Sequence, residues 1–127
     1  MATGISSYLA DKWLDALGNN VSFAVTACFV KLHVGDPGAA GTAHPSDEVS
    51  RRQVGFGAAS GGALVSDGAV SWVNISGSQD STHFTVWDDL SAGNFLFSGT
   101  IVANSYLAGD TFTIPAGALT VGLTVAS

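Results

Sequence analysis

Histidines at positions 33, 44 and 83, ten carboxylates and one thiol at Cys28 are the groups in this chain best suited to move protons, attack carbonyls or hold metals. A hydrolytic centre needs a nucleophile, a base and an orienting group brought together. Serines are abundant, yet none stands in a Gly-x-Ser-x-Gly elbow, and Ser60-Gly61 and Ser76-Gly77 read as turn pairs. His44 precedes Pro45 in a polar stretch and reads as a solvated imidazole. His83 lies among Phe84, Val86 and Trp87 and reads as half-buried and satisfied. His33 shares a strand face with Lys31, which disfavours a cation there. Asp36, Asp47 and Glu48 flank one loop and are the acids best placed for calcium. Calcium cages, however, use dense alternating acids at fixed spacing, and that pattern is missing. Cys28, alone inside the apolar run ACFV, excludes an intrachain disulfide and reads as a buried, inert thiol. The glycines between positions 35 and 41 have no lysine and no following helix, so they form no phosphate cradle. These residues nominate no reaction. The expectation is a protein without catalytic, metal or cofactor chemistry.

Composition points the same way. Charged residues make up 11% of the 127 positions, against roughly 25% in an ordinary soluble domain. The net charge is −6, and only Lys12, Lys31, Arg51 and Arg52 are basic, too few to neutralise several phosphates. Arg51-Arg52 reads as a strand end neutralised by Asp47 and Glu48 rather than a phosphate clamp. No apolar run is long enough to span a bilayer, and the N-terminus lacks a basic leader, so a protein made and kept in cytoplasm until assembly is expected. Nucleic acid and membrane are excluded as partners.

The elements that would position any site follow from periodicity. Ile5, Leu9 and Trp13 fall at four-residue steps, widened by Tyr8, Leu14 and Leu17, which predicts a helix over residues 5–17. Thr3 or Ser6 caps its start, and Gly18-Asn19-Asn20 stops it. It packs on the domain's own sheet, with docking onto a neighbouring subunit as the alternative. A strand over 24–34 leads into a long loop at 35–48, read as an arm or contact loop. Further strands are expected at 49–56, 63–65, 69–75, 82–88 and 94–102, and two more within 108–126, with turn residues between them. In that last stretch Phe112, Ile114, Leu119, Val121, Leu123 and Val125 alternate with threonine and glycine, so even the second face carries almost no charge. A surface of hydroxyls and hydrogens suits contact with other protein. The fold expected is a single mainly β domain over 1–127, an antiparallel β-sandwich with jelly-roll-like connections and one N-terminal α-helix; sandwich and barrel both fit the pattern. Most aromatics fit the core, and Tyr106, in ANSYLAGD, is the best candidate for an exposed one.

With these segments laid out, the chain resembles a family of short structural proteins of tailed bacteriophages, tail-fibre-like or minor virion proteins. The likeness covers nearly the whole length: YLADKWLDALG, VKLHVGDPGAAGTA, EVSRRQVGFGAASGG, THFTVWDDLSAGNFLFSGTI and AGDTFTIPAGALTV, in that order. The third segment departs, with Ser50-Arg51 before Arg52-Gln53 where relatives carry more glycine and an aromatic. The resemblance implies a virion component and no enzyme, and it carries over no functional residue.

The reading is a non-enzymatic virion structural protein, present in multiple copies as a capsid decoration or a tail- or fibre-associated component. Its partners would be further copies of itself and capsid or tail proteins. Lacking a coiled coil or fibrous repeat, the domain suits the capsid exterior better than a shaft. Subunit contacts are expected at Tyr8, Trp13, Asp36, Pro37, His44 and Tyr106. The alternative is a carbohydrate-binding module for the host envelope, with Tyr106, Trp87 and the acidic loop residues as its platform; a cell-wall hydrolase comes third.

Overall fold

The computed structural model describes residues 3–126, in which one helix and eight strands occur. The helix α1 is Ser7–Gly18. Ser6, in extended conformation, caps it by accepting the Leu9 amide at 3.1 Å, a cap of the kind that contributes about 1 kcal/mol. The helix starts later than its apolar spacing suggests because Ile5 is used as strand, bridging Phe97. At the other end the Asn19 amide reaches Asp15 O, and Asn20 turns the chain at φ 55°.

The strands are β1 Cys28–His33, β2 Arg52–Val54, β3 Ala63–Val65, β4 Val70–Trp72, β5 Gln79–Trp87, β6 Phe95–Tyr106, β7 Phe112–Ile114 and β8 Thr120–Gly122. One antiparallel sheet has the order β2-β1-β5-β6, and two small antiparallel sheets pair β3 with β8 and β4 with β7. The chain is thus mainly β, as its alternation predicts. The register places Val30, Leu32, Phe84, Val86 and Phe97 on one face of the large sheet. Val70 and Trp72 from β4, Phe112 and Ile114 from β7, and Leu119 join them in one core. Leu9 adds the first half of α1 to it. Gly99 lies under the Phe84 ring, where a Cβ would stand 2.8 Å from ring carbons; only glycine admits that approach.

The last two strands are joined by the turn Pro115-Ala116-Gly117, yet they do not pair with each other. Phe112 and Ile114 face β4, while Val121 sits opposite Leu64. Burial follows the expected alternation as far as Leu119 and Val121, but Leu123 and Val125 lie exposed.

The long loop does not project. Val34 N donates to His44 O at 2.9 Å and Ser46 N to Leu32 O at 3.1 Å, so the chain leaves β1 and returns beside it. Residues 35–43 between these bonds form a strap across the second face of the large sheet. Pro37 and Gly41 are buried, and Gly41 lies so close to Phe95 that a Cβ would stand 2.6 Å from the ring. The strap covers a sheet face that periodicity alone assigns to solvent.

Candidate functional site

The side chains best suited to chemistry are sealed or scattered. Two hydroxyl–imidazole pairs occur among the described residues, and the fully buried one is Thr85 with His33. Thr85 Oγ1 lies 2.9 Å from His33 Nε2, and His33 Nδ1 lies 2.8 Å from Ala43 O. A carbonyl only accepts, so Nδ1 carries the proton and the neutral ring accepts from Thr85 at Nε2. Thr85 in turn accepts from Trp87 Nε1 at 2.8 Å. Every polar atom in this relay is used, and both His33 and Thr85 are fully buried beneath the strap. No substrate atom reaches the hydroxyl. The relay ties the strap, through Ala43 O, to β1 and β5.

Elsewhere, His83 is half-buried and bonded to Thr82 Oγ1 at 2.7 Å. His44 is exposed at φ 51°, its ring 2.9 Å from Asp36 O. Asp36 accepts the Gly38 amide at 2.9 Å. Asp36, Asp47 and Glu48 do not converge, and among the described residues no group of three potential metal ligands comes together. Cys28 is half-buried, and burial, aided by the Asp88 charge, pushes its thiol up and keeps it protonated. Arg51 is not neutralised by Asp47 and Glu48 as expected. It stacks 4.3 Å from the Trp87 ring centre and donates to the carbonyls of Asp89 and Ala92 at 2.7 Å each, fastening the turn between β5 and β6.

Tyr106 overturns its expected exposure: 5% of it is accessible. Its hydroxyl meets Ser46 Oγ at 3.1 Å and Ser81 Oγ at 2.8 Å. Ser46 also donates to Gln79 Oε1 at 3.1 Å and caps the Glu48 amide at 3.1 Å. Glu48 extends the network, with Oε1 accepting the Ser76 amide at 3.0 Å and Oε2 accepting from the Ser50 hydroxyl and amide. Trp87 is buried as well, so the two rings expected to form a sugar platform are both inside the protein.

Glu48 gives this network a pH signature. Burial alone would push its carboxyl up, but the Ser50 hydroxyl, the Ser76 and Ser50 amides and the Arg52 charge outweigh it and hold the pKa below the ordinary value. Its stabilising effect is therefore complete above the unfolded value of about 4.3 and is lost as the pH falls through the lower folded value. Urea midpoints followed from neutral pH to about pH 3 should fall less steeply in Glu48→Gln than in the parent. Parallel profiles would show that Glu48 is not a source of the acid limb.

What the surface does offer is apolar. An open groove of about 210 Å³ runs between α1 and the β3–β8 sheet, lined by Trp13, Ala59, Ala63, Leu64, Val121 and Leu123. A second depression, floored by Leu9, Phe23, Val25, Cys28 and Phe56, shares Trp13, Leu64 and Val121 with it. The helix stripe explains the groove. Leu9 is buried, Trp13 is half-buried and Leu17, the next residue on the same face, is 84% exposed. The first half of α1 is used by the core, and its last turn runs past it. Tyr8 packs edge-on against Phe23 at 6.2 Å, with the Lys12 ammonium 5.7 Å from its ring centre. Of the six expected contact residues, Trp13 lines the groove, Tyr8 is half-buried against Phe23, Asp36 lies in the strap and His44 directly follows it. Pro37 and Tyr106 are buried. Sequence reasoning set Leu17 on the helix stripe and Leu123 and Val125 on a buried strand face, and the structure leaves all three exposed; it did not single out Leu64, which lines the groove.

The described residues thus form a β-rich module with its buried polar side chains satisfied internally and an apolar groove open to solvent. Residues 4–122 match the family described as podophage GP4 fiber I protein gp80. The chain belongs to this family of phage tail-fibre-like structural proteins and is a virion component. No curated protein sequence matches it. Among the described residues no helix is long and apolar enough to cross a membrane.

Proposed function

We propose that the chain is a non-enzymatic building block of the phage fibre or its attachment, assembled in several copies or against another tail protein. The observation that carries this reading is the half-used helix: the Leu9–Trp13–Leu17 stripe enters the core at one end and leaves an apolar groove at the other. Apolar grooves rimmed by further exposed apolar side chains are places where other protein docks. The fibre description of the family favours the tail over the capsid exterior. Burial of Tyr106 and Trp87 speaks against the glycan-platform alternative.

Light scattering over a concentration series, with binding to purified tail particles, tests the proposal. Parent protein should self-associate or bind tails, and Leu17→Arg with Leu123→Arg should weaken that association about tenfold or more while leaving thermal unfolding unchanged. A parent chain that stays monomeric near millimolar concentration and ignores tails would overturn the proposal. So would an unchanged affinity in the double variant.

A further inference from the structure

The strap covers His33, which has no solvent-exposed surface. His33 projects from the second face of β1, where the residue two before it is Lys31 and the residue directly across on β5 is His83. From β5, Thr85 supplies a hydroxyl, and from the strap segment Ala43 supplies a carbonyl. The strap itself carries Asp36, whose carboxylate accepts the Gly38 amide at 2.9 Å, while His44, at its return, turns its ring to Asp36 O. Among the described residues no carboxylate hydrogen-bonds the His33 ring.

Protonation at Nε2 has two consequences in this setting. It converts the acceptor of the Thr85 hydroxyl into a second donor aimed at the same oxygen, which already accepts from Trp87. It also creates a buried cation beside Lys31 and opposite His83, with no counter-charge. An unpaired buried charge is among the most costly arrangements in a protein. Sheet backbone lies on one side of the ring and the strap on the other, so lifting the strap is the least disruptive way to hydrate the cation.

We propose that residues 35–43 are an acid-released cover, latched by neutral His33 and lifted when that imidazole takes a proton. What lies beneath is aromatic: Phe95 lies tilted against Trp87 with ring centres 5.6 Å apart, and Gly41 rests on the Phe95 ring. Acid release therefore uncovers a second apolar surface, distinct from the groove beside α1. The sign agrees with the physics of the group. Burial pushes the His33 pKa down, the Ala43 carbonyl partly opposes this, and Lys31 adds to the lowering. Its contribution to closure is complete above the unfolded value of about 6.5 and declines as the pH falls through the lower folded value.

Hydrogen–deuterium exchange of peptides covering 35–43 tests the latch, at about pH 7.5 and about pH 5, corrected for intrinsic exchange. Strap protection should fall about tenfold or more at the lower pH while the β5–β6 peptides keep theirs. His33→Gln, which keeps a neutral donor near Ala43 but cannot titrate, should hold its strap protection at both values. His44→Gln and His83→Gln should still open. Equal wild-type protection at both pH values would overturn the proposal, as would loss of β5–β6 protection in step with the strap, or a His33→Gln strap that opens like the parent's. Should that variant fail to fold, proton NMR of the parent decides: the His33 ring and the Ala43 amide should share one midpoint, and independent midpoints would refute the latch.

Discussion

Trp72→Ala should cost about 3–5 kcal/mol of folding stability, the range for deleting a large buried aromatic. Trp72 is completely buried, tilts against Phe112 at 6.1 Å and donates its indole N–H to Ser50 O at 2.9 Å. Its removal leaves a cavity between β4 and β7 and strips a carbonyl of its partner in the segment leading into β2. Single domains typically have only about 5–15 kcal/mol in total, so the variant should lie close to unfolding at ambient temperature. Urea denaturation followed by far-UV circular dichroism measures it. Trp72→Phe separates the terms, because it refills most of the volume while leaving Ser50 O without its donor, and it should cost less than the alanine. A loss below about 1 kcal/mol in Trp72→Ala would show that the small sheets do not share a cooperative core with the large one.

Gly41→Ala should be a damaging single-methyl change, felt first in the strap. Gly41 sits at φ 73°, a conformation that costs an L-residue roughly 1–2 kcal/mol. The added Cβ would also fall 2.6 Å from Phe95 Cγ. That ring is hemmed in by Trp87, so it cannot swing away freely. Overpacking of this kind adds roughly 1–3 kcal/mol, and the two penalties fall on the strap before they reach the core. The expected result is a variant whose strap exchanges amide protons like an open loop at neutral pH, with only a modest drop in the global unfolding midpoint. Gly61→Ala makes a fair control, since it has a comparable φ of 61° and nothing within 4 Å of its Cβ. If Gly41→Ala leaves strap exchange unchanged, the close seat on Phe95 is not what holds the strap down.

The alternation of apolar residues made the β class and most strand positions legible, and the fourfold spacing made α1 legible. Its start was off because Ile5 has two uses: the stripe claims it for the helix, while its backbone joins β6. β6 runs on to Tyr106 through polar residues because Gln79, Asp80 and Ser81 supply partners from β5. A single chain segment cannot reveal that. Tyr106 looked exposed for the same reason: its neighbours are polar, and its burial depends on Ser46 and Ser81, far away in sequence. The strap defeated periodicity altogether. Its glycines and its proline signal irregular chain, but only the contact with Phe95 shows which way that chain folds. In the surface groove, Trp13 could be read from helix spacing, whereas Leu64 and Leu123 meet it only because β3 pairs with β8.

The split partnership of the final two strands bears on how the protein is born. Val70 waits for Ile114, and Ala63 waits for Gly122. As the ribosome extrudes the chain in order, the segment holding β3 and β4 emerges with its backbone unpaired and stays so until β7 and β8 follow. Such an edge invites sticking to other nascent chains. Premature termination before Phe112 should therefore release insoluble fragments instead of a smaller folded core.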